Sequence, residues 1–292
     1  MGKSREIKKR MKAVGNIRRI TRTMQMIATS KFSKAQQVAT ASKPYTSALQ
    51  ELVSELAARA GDSSHPLLAG PQSRSGREIT LIITSDRGLC GPYNGNVIRT
   101  AMRHLQSHQP AAQGRIEVVG KKGASVLRFN NFDLAAHHLH FGDKPRYEDV
   151  ERLAQEYIDR FTAGEVDAVR VISMRYISAG QQKPEVLQLI PFDRGSVADA
   201  PSGSHLQALY EFSPGADELL DTLLPAAVKA VLFQAFNDAI VSEHVARMVA
   251  MKSATDNAGK MRKRLQRQYN RARQAQITTE LTEIISGAAA LG

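Results

Sequence analysis

Three groups of residues in this chain are of types that could do chemistry. The run Asp86-Arg87-Gly88-Leu89-Cys90-Gly91 follows a β-rich segment at 79–84, the place where a doubly wound fold holds a phosphate. It matches neither G-x-G-x-x-G nor G-x-x-x-x-G-K-S/T, the spacings that wrap backbone N–H groups around phosphate oxygens. A tight turn is the better reading, with Asp86 and Arg87 bridging the sheet to a neighbouring element or meeting a partner. Cys90 is the single cysteine, and as a nucleophile it would need a histidine and an orienting group brought to it by the fold; a small buried thiol is expected instead. His137, His138 and His140 suggest a metal. On a strand, however, only His138 and His140 share a face, and no cysteine or carboxylate pair at ligand spacing accompanies them. No Ser/His/Asp arrangement can be argued. The expectation is a chain with no catalytic residue, no cofactor and no metal.

What must position these residues is read from charge and periodicity. Residues 1–43 hold twelve basic side chains against one acid, Glu6, and 257–279 add seven with no acid. These segments carry +11 and +7, so a chain of net charge +12 leaves −6 for the rest. Basicity is confined to the two ends, which points to a partner that meets them and not the middle. A length of 292 residues with 42% hydrophobic content supports a sizeable core and excludes a disordered chain. One cysteine excludes a disulfide scaffold and fits a reducing compartment. Glu6 stands where a myristoylation signal wants Ser or Thr. The most apolar stretch, 219–236, is broken by Asp221, Pro225, Lys229 and Gln234, short of a bilayer span of about 20 apolar residues.

Apolar residues at Ile7, Met11, Val14, Ile17, Ile20, Met24, Ile27, Ala35 and Val38 step by three and four and predict a helix to about residue 60. From Pro225 to Ile285 the only further breaker is Gly259, and Val241, Val245, Met248, Ala258, Met261, Leu265, Ala272, Leu281 and Ile284 keep the same spacing. Helices this long must bury a stripe. An antiparallel coiled coil of the two ends is expected, the alternative being two separate bundle helices. Between them lie a Gly/Pro/Ser linker at 61–76, strands near 79–84, 116–119, 135–139, 166–176 and 185–190, helices near 96–106, 124–129 and 147–161, and a polar linker at 196–204. Strands alternating with helices predict an open, mainly parallel α/β sheet of Rossmann-like type. The expected division is 1–60 and 210–292 as the paired helices and 77–195 as the α/β domain.

A basic chain could also bind nucleic acid. No helix-turn-helix, RNA-binding or zinc pattern is present, and aromatics are scarce at 5% with no Trp, so stacking platforms are missing. Acidic protein surfaces fit better.

Four segments carry a family resemblance. They are 16–31 (NIRRITRTMQMIATSK), 85–91 (SDRGLCG) with Asn94, 242–258 from Ser242-Glu243-His244 to Asp256-Asn257-Ala258, and 269–290 from Tyr269-Asn270-Arg271-Ala272-Arg273 to Gly287-Ala288-Ala289-Ala290. In this order, over nearly the whole chain, they resemble the gamma subunit of F-type ATP synthases. The resemblance implies that the terminal helices form a central rotor shaft inside a ring of alpha and beta subunits, where the ATP sites lie. It implies that the α/β domain forms a foot near the epsilon subunit and the membrane c-ring. The chain would be peripheral to the membrane through its partners, on the cytoplasmic face of the cell membrane, and would do no bond chemistry itself. Met24, Arg247, Arg273, Gln274 and Thr278 fall where the family's shaft meets the ring, and the tail 284–291 would lie in its hydrophobic bearing. One departure is the basic run 260–267, KMRKRLQR, where many relatives are acidic or neutral. It is either drift on a solvated face or altered electrostatics against a beta or epsilon subunit.

Overall fold

The computed structural model describes residues 2–59, 65–70, 75–192 and 216–289. In chain order the elements are α1 (Gly2–Arg59), α2 (Pro66–Ala69), β1 (Glu78–Ile83), α3 (Tyr93–Ser107), α4 (Gln109–Ala112), β2 (Arg115–Val119), α5 (Lys121–Phe129), β3 (Ala136–His138), α6 (Tyr147–Thr162), β4 (Ala168–Ser178), β5 (Gln181–Ile190) and α7 (Ala216–Ala289). The chain divides into two compact units, one of residues 1–30 with 247–292, the other of residues 31–246.

In the first unit α1 and α7 pair as antiparallel helices. The Ser4 hydroxyl donates to Gln276 Oε1 at 3.0 Å and the Thr255 hydroxyl to Thr21 Oγ1 at 2.8 Å, so numbers rise on one helix as they fall on the other. Covered positions on α1 include Ser4, Ile7, Met11, Val14, Thr21, Gln25 and Ala28, and on α7 Met251, Thr255, Ala258, Leu265, Tyr269, Ala272 and Gln276, with Gly15, Met24, Ala254 and Gly259 covered beside them. With Arg18 and Arg262 filling the gaps, both sets alternate steps of three and four, the heptad of a coiled coil. This seam takes Ile7, Met11, Val14, Ala258, Leu265 and Ala272 from the stripe expected from hydropathy and leaves part of that stripe out. Ile17, Ile20 (59% exposed), Ile27 and Met261 (54%) lie outside it. Successive steps of three, as in Val14, Ile17, Ile20, each fall about 60° short of a full turn and walk off the seam. The seam mixes Ile7, Met11, Val14, Met251 and Leu265 with small and polar residues, while several other large apolar residues face outward.

In the second unit a five-stranded sheet runs in the order β3-β2-β1-β4-β5. All neighbours are parallel except β4 with β5. Alternation along the strands sorts the core into two layers. Ile79, Leu81, Ile83, Val169 and Val171 share a cluster with Leu49, Val53 and Leu56 of α1, Tyr157 and Phe161 of α6, and Leu224, Val228 and Phe236 of α7. Ile82, Val118, Ile172 and Met174 share the other with Val97, Ala101 and Leu105 of α3 and Leu127 of α5. By length and composition alone α7 could cross a membrane. Its Leu220, Leu224, Val228, Leu232 and Phe236 are buried core here, which accounts for that apolar stretch.

Boundaries moved in three places. α7 begins nine residues before Pro225, so that proline lies inside the helix as Pro44 does in α1; each is tolerated within a long packed element despite the missing N–H. The linker at 61–76 contains α2, where Pro66 starts the helix and His65 Nδ1 accepts from Leu67 N–H at 3.2 Å. β5 starts at Gln181, paired from the first residue with the end of β4. The linker expected at 196–204 lies outside the described residues.

Candidate partner interface

The loop after β1 is built by side chains that bond to its own backbone. Asn94 Oδ1 accepts from Ser85 N–H at 3.0 Å, and its Nδ2 donates to Ser85 Oγ at 2.7 Å and to Cys90 Sγ at 3.2 Å; Ser85 Oγ donates to the Arg87 carbonyl at 2.7 Å. Asp86 Oδ1 accepts from the Lys121 N–H at 3.1 Å, an acid at the N-terminus of α5 that answers its unpaired donors. Arg87 reaches Asp143, beyond β3, at 3.3 Å, and the same carboxylate takes Lys31 of α1 at 2.5 Å. Burial alone would raise the Asp143 pKa, but the Lys31 hydrogen bond and the charges of Lys31, Arg87 and His244 outweigh it and hold it below the ordinary value. Asp86 and Arg87 therefore tie the loop to α5 and to the Asp143 segment. One residue of the loop escapes sequence reasoning. Leu89 has φ +64° and is 61% exposed, a conformation unfavourable for a non-glycine residue and a location unfavourable for an apolar one. No local sequence signal marks it.

The crevice at the C-terminal ends of β1 and β2, where a doubly wound fold would take a nucleotide, is filled by the chain itself. Phe236, Ala239, Ile240 and Glu243 of α7 close over Ser85, Asp86, Gly120 and His138, leaving a cavity of about 20 Å³. Gly120, at φ +91°, lies so close to Thr84 that an added Cβ would come within 2.3 Å of its carbonyl oxygen. The glycine there serves strand-to-strand contact.

The other two groups have structural partners. Cys90 is buried against Asn94 and Ser85. His138 Nε2 lies 2.9 Å from Glu117 Oε2, which also accepts from the Tyr157 hydroxyl at 2.9 Å. Burial raises the Tyr157 pKa well above its usual value and Glu117 adds to that. His140 meets His138 edge-on, with ring centres 5.9 Å apart. Among the described residues no group of three His, Cys, Asp or Glu side chains is placed to hold a metal ion. A second buried carboxylate, Glu78, is held by His104 at 2.7 Å, Arg170 at 3.1 Å and His108 at 3.2 Å.

In the helical pair the five shaft residues fall into two groups. Met24 and Arg247 are partly covered, while Arg273, Gln274 and Thr278 are exposed. The 26 residues from Arg247 to Arg273 span about 39 Å of helix, so the groups cannot share one contact. The Thr278 hydroxyl donates to the Gln274 carbonyl at 3.0 Å, joining those two. Around them Ile277, Leu281, Ile284 (70% exposed) and Ile285 make an exposed apolar stripe at helical spacing. Such a stripe marks an interaction face. Ile277 and Leu281 extend the expected tail toward the chain's middle, while 290–292 lie outside the described residues. A separate groove is lined by Lys8, Lys12, Arg18, Arg19, Arg22 and Arg262 around Gly15.

With this geometry in hand, known proteins are informative. A family model described as ATP synthase matches residues 3–291. The chain is 41% identical over 297 residues to the ATP synthase gamma chain of Rhodopirellula baltica, covering 100% of this chain and 99% of that one. It is 39% identical over 292 residues to the ATP synthase gamma chain of Desulfitobacterium hafniense, with both chains covered in full. Among solved structures it is similar in fold to a chain in the Euglena gracilis mitochondrial ATP synthase (OSCP/F1/c-ring, rotational state 3). That match has a TM-score of 0.64 and 17% identity, covering 99% of this chain and 95% of that one.

Proposed function

The chain belongs to the ATP synthase gamma chain family, and on that premise we infer that it is the central rotor shaft of an F-type ATP synthase. It couples ion flow through a membrane ring to conformational cycling of ATP sites on the surrounding beta subunits. The observation that carries this reading is the apolar surface of the helical pair, where Ile17, Ile20, Ile27, Ile277, Leu281 and Ile284 face outward among basic side chains although Ile7, Met11, Val14, Met251 and Leu265 already line the seam. A helical pair that leaves so many large apolar residues on the outside is built to be enclosed.

The mechanism is differential contact. A rod whose faces differ presents a different surface to each of three catalytic subunits at any instant. A ligand-like contact stronger in one conformation than another shifts the population toward it. Turning the rod moves that bias from one subunit to the next, so rotation and the open and closed states of the beta subunits are linked in both directions. Met24, Arg247, Arg273, Gln274 and Thr278 are the proposed contacts with the alpha and beta ring, and Asp86 and Arg87, with Leu89, offer a further contact at the α/β unit. The division proposed is 1–60 and 210–292 as shaft and 77–195 as foot, the foot meeting the epsilon subunit and the c-ring. The chain is a peripheral part of a membrane-bound complex, and the cytoplasmic face of the cell membrane is the proposed location. Nothing in the helical pair carries the aromatic stacking surface or reading helix that the nucleic-acid alternative would need.

The test is reconstitution with alpha and beta subunits. The parent chain should assemble and support ATP hydrolysis. Replacing Ile277, Leu281, Ile284 and Ile285 together with serine should abolish stable assembly while the circular dichroism of the isolated chain is retained. Unaltered assembly of that variant would overturn the reading.

A further inference from the structure

Within the α/β unit a groove of about 710 Å³ runs between α1, the segment after β3 and α7. That is the size of a small-molecule site, and the shaft function does not account for it. Its lining is of two kinds. Ala35, Val38 and Ile240 give it an apolar wall, and Val38 is 52% exposed. Lys34 and Lys144 stand on its rim and make no ion pair among the described residues, whereas Lys31, also on the rim, is engaged by Asp143. The third feature is Asn237, which lines the groove and is 6% exposed, its Nδ2 amide having no hydrogen-bond partner among the described residues. A buried amide donor left without an acceptor is costly, so an acceptor brought to it is favourable.

We propose that this groove is a binding site for a small amphiphilic organic anion. Its charged group is taken by Lys34 and Lys144, its apolar body lies on Ala35, Val38 and Ile240, and an acceptor atom on it satisfies the Asn237 amide. Asp143 does not repel such a ligand strongly, because its carboxylate is already shared between Lys31 and Arg87. The proposal does not depend on the shaft reading, since either can fail while the other stands.

The probe is 1-naphthyl phosphate, titrated by calorimetry into the full chain, with inorganic phosphate, 1-naphthol and hexaglutamate as comparisons. Saturable binding of one naphthyl phosphate per chain is expected, at least about tenfold tighter than either inorganic phosphate or naphthol, because only it uses both walls. The double variant Lys34→Gln with Lys144→Gln should weaken it about tenfold or more and, both side chains being exposed, leave the melting temperature unchanged. Asn237→Leu should weaken it as well. Absence of saturable binding would overturn the proposal, as would equal affinity in parent and lysine variant. Tighter binding of hexaglutamate, with displacement of the probe, would do so too, since the groove would then be a seat for a protein segment.

Discussion

The two units of this chain treat apolar surface in opposite ways. The helical pair holds eighteen basic and four acidic side chains, net +14, leaving −2 for the unit of residues 31–246. Only Val14, Ala28, Met251 and Ala258 are fully buried hydrophobics of the pair among the described residues, against two extended core clusters in the other unit. The α/β unit uses its apolar residues for its own stability. The helical pair leaves many of its large ones exposed among basic side chains, available to whatever surrounds it. Stability and function are therefore separable by region, and substitutions of the same chemistry should have different consequences in each.

The largest effect on stability is expected in the sheet. Leu81, fully buried in β1, should cost about 2–5 kcal/mol when changed to Ala, measured by urea unfolding of the isolated chain; a loss below about 1 kcal/mol would mean that layer is not packed. Glu117→Gln should cost about 1–3 kcal/mol at neutral pH, because it leaves His138 and Tyr157 without their charged acceptor. Burial opposes the ionised form, yet the His138 and Tyr157 hydrogen bonds and the charges of His138 and Arg115 outweigh it and lower the folded pKa from 4.5. A lowered acid contributes stability that is full above its ordinary value and is lost as pH falls through the folded one. The gap between parent and variant should then narrow below pH 4.5, and a gap that stays constant in acid would contradict the assignment.

The same kind of truncation in the pair should behave otherwise. Ile20→Ala removes an exposed side chain and should change unfolding stability by no more than about 0.5 kcal/mol, while lowering the coupling of hydrolysis to ion pumping in the assembled complex. A stability loss as large as that at Leu81 would put Ile20 in a core. The smallest effect is expected at the basic run. Changing Lys260, Arg262, Lys263 and Arg264 to Gln should slow association with alpha and beta subunits at low salt and leave the final complex formed, because exposed charges act on encounter within a screening length of about 8 Å at physiological salt. Identical rates against ionic strength for parent and variant would show that this run faces solvent.

The order of elements and the mainly parallel sheet were legible because strand alternation and helix spacing are local signals. Tyr147 to Phe161 reads as a helix from its own sequence. The coiled-coil seam was legible only in part. Ile7, Met11 and Val14 mark its start, but Thr21, Gln25 and Ala28 continue it with little hydropathy trace, while Ile17, Ile20 and Ile27 leave a strong one on another face. The ties among Lys31, Arg87 and Asp143, and those of Glu78 to His104, His108 and Arg170, join residues from 26 to 112 positions apart. Nothing along the chain announces them. Leu89 was hidden for a different reason, since its positive φ is imposed by the hydrogen bonds of its neighbours and not by its own type.

The most direct test asks whether the paired helices turn as one body inside a ring. Thr21→Cys with Thr255→Cys places two thiols where the hydroxyl oxygens now lie 2.8 Å apart, a separation suited to a disulfide, which needs Cα atoms within about 7 Å. With a bead attached through Phe129→Cys on the α/β unit, a side chain that is 86% exposed, and the ring of alpha and beta subunits fixed to a surface, ATP should drive the bead round in thirds of a turn. It should do so equally before and after the disulfide forms. A bead that stays still while the complex hydrolyses ATP, or that stops when the helices are joined, would contradict the account.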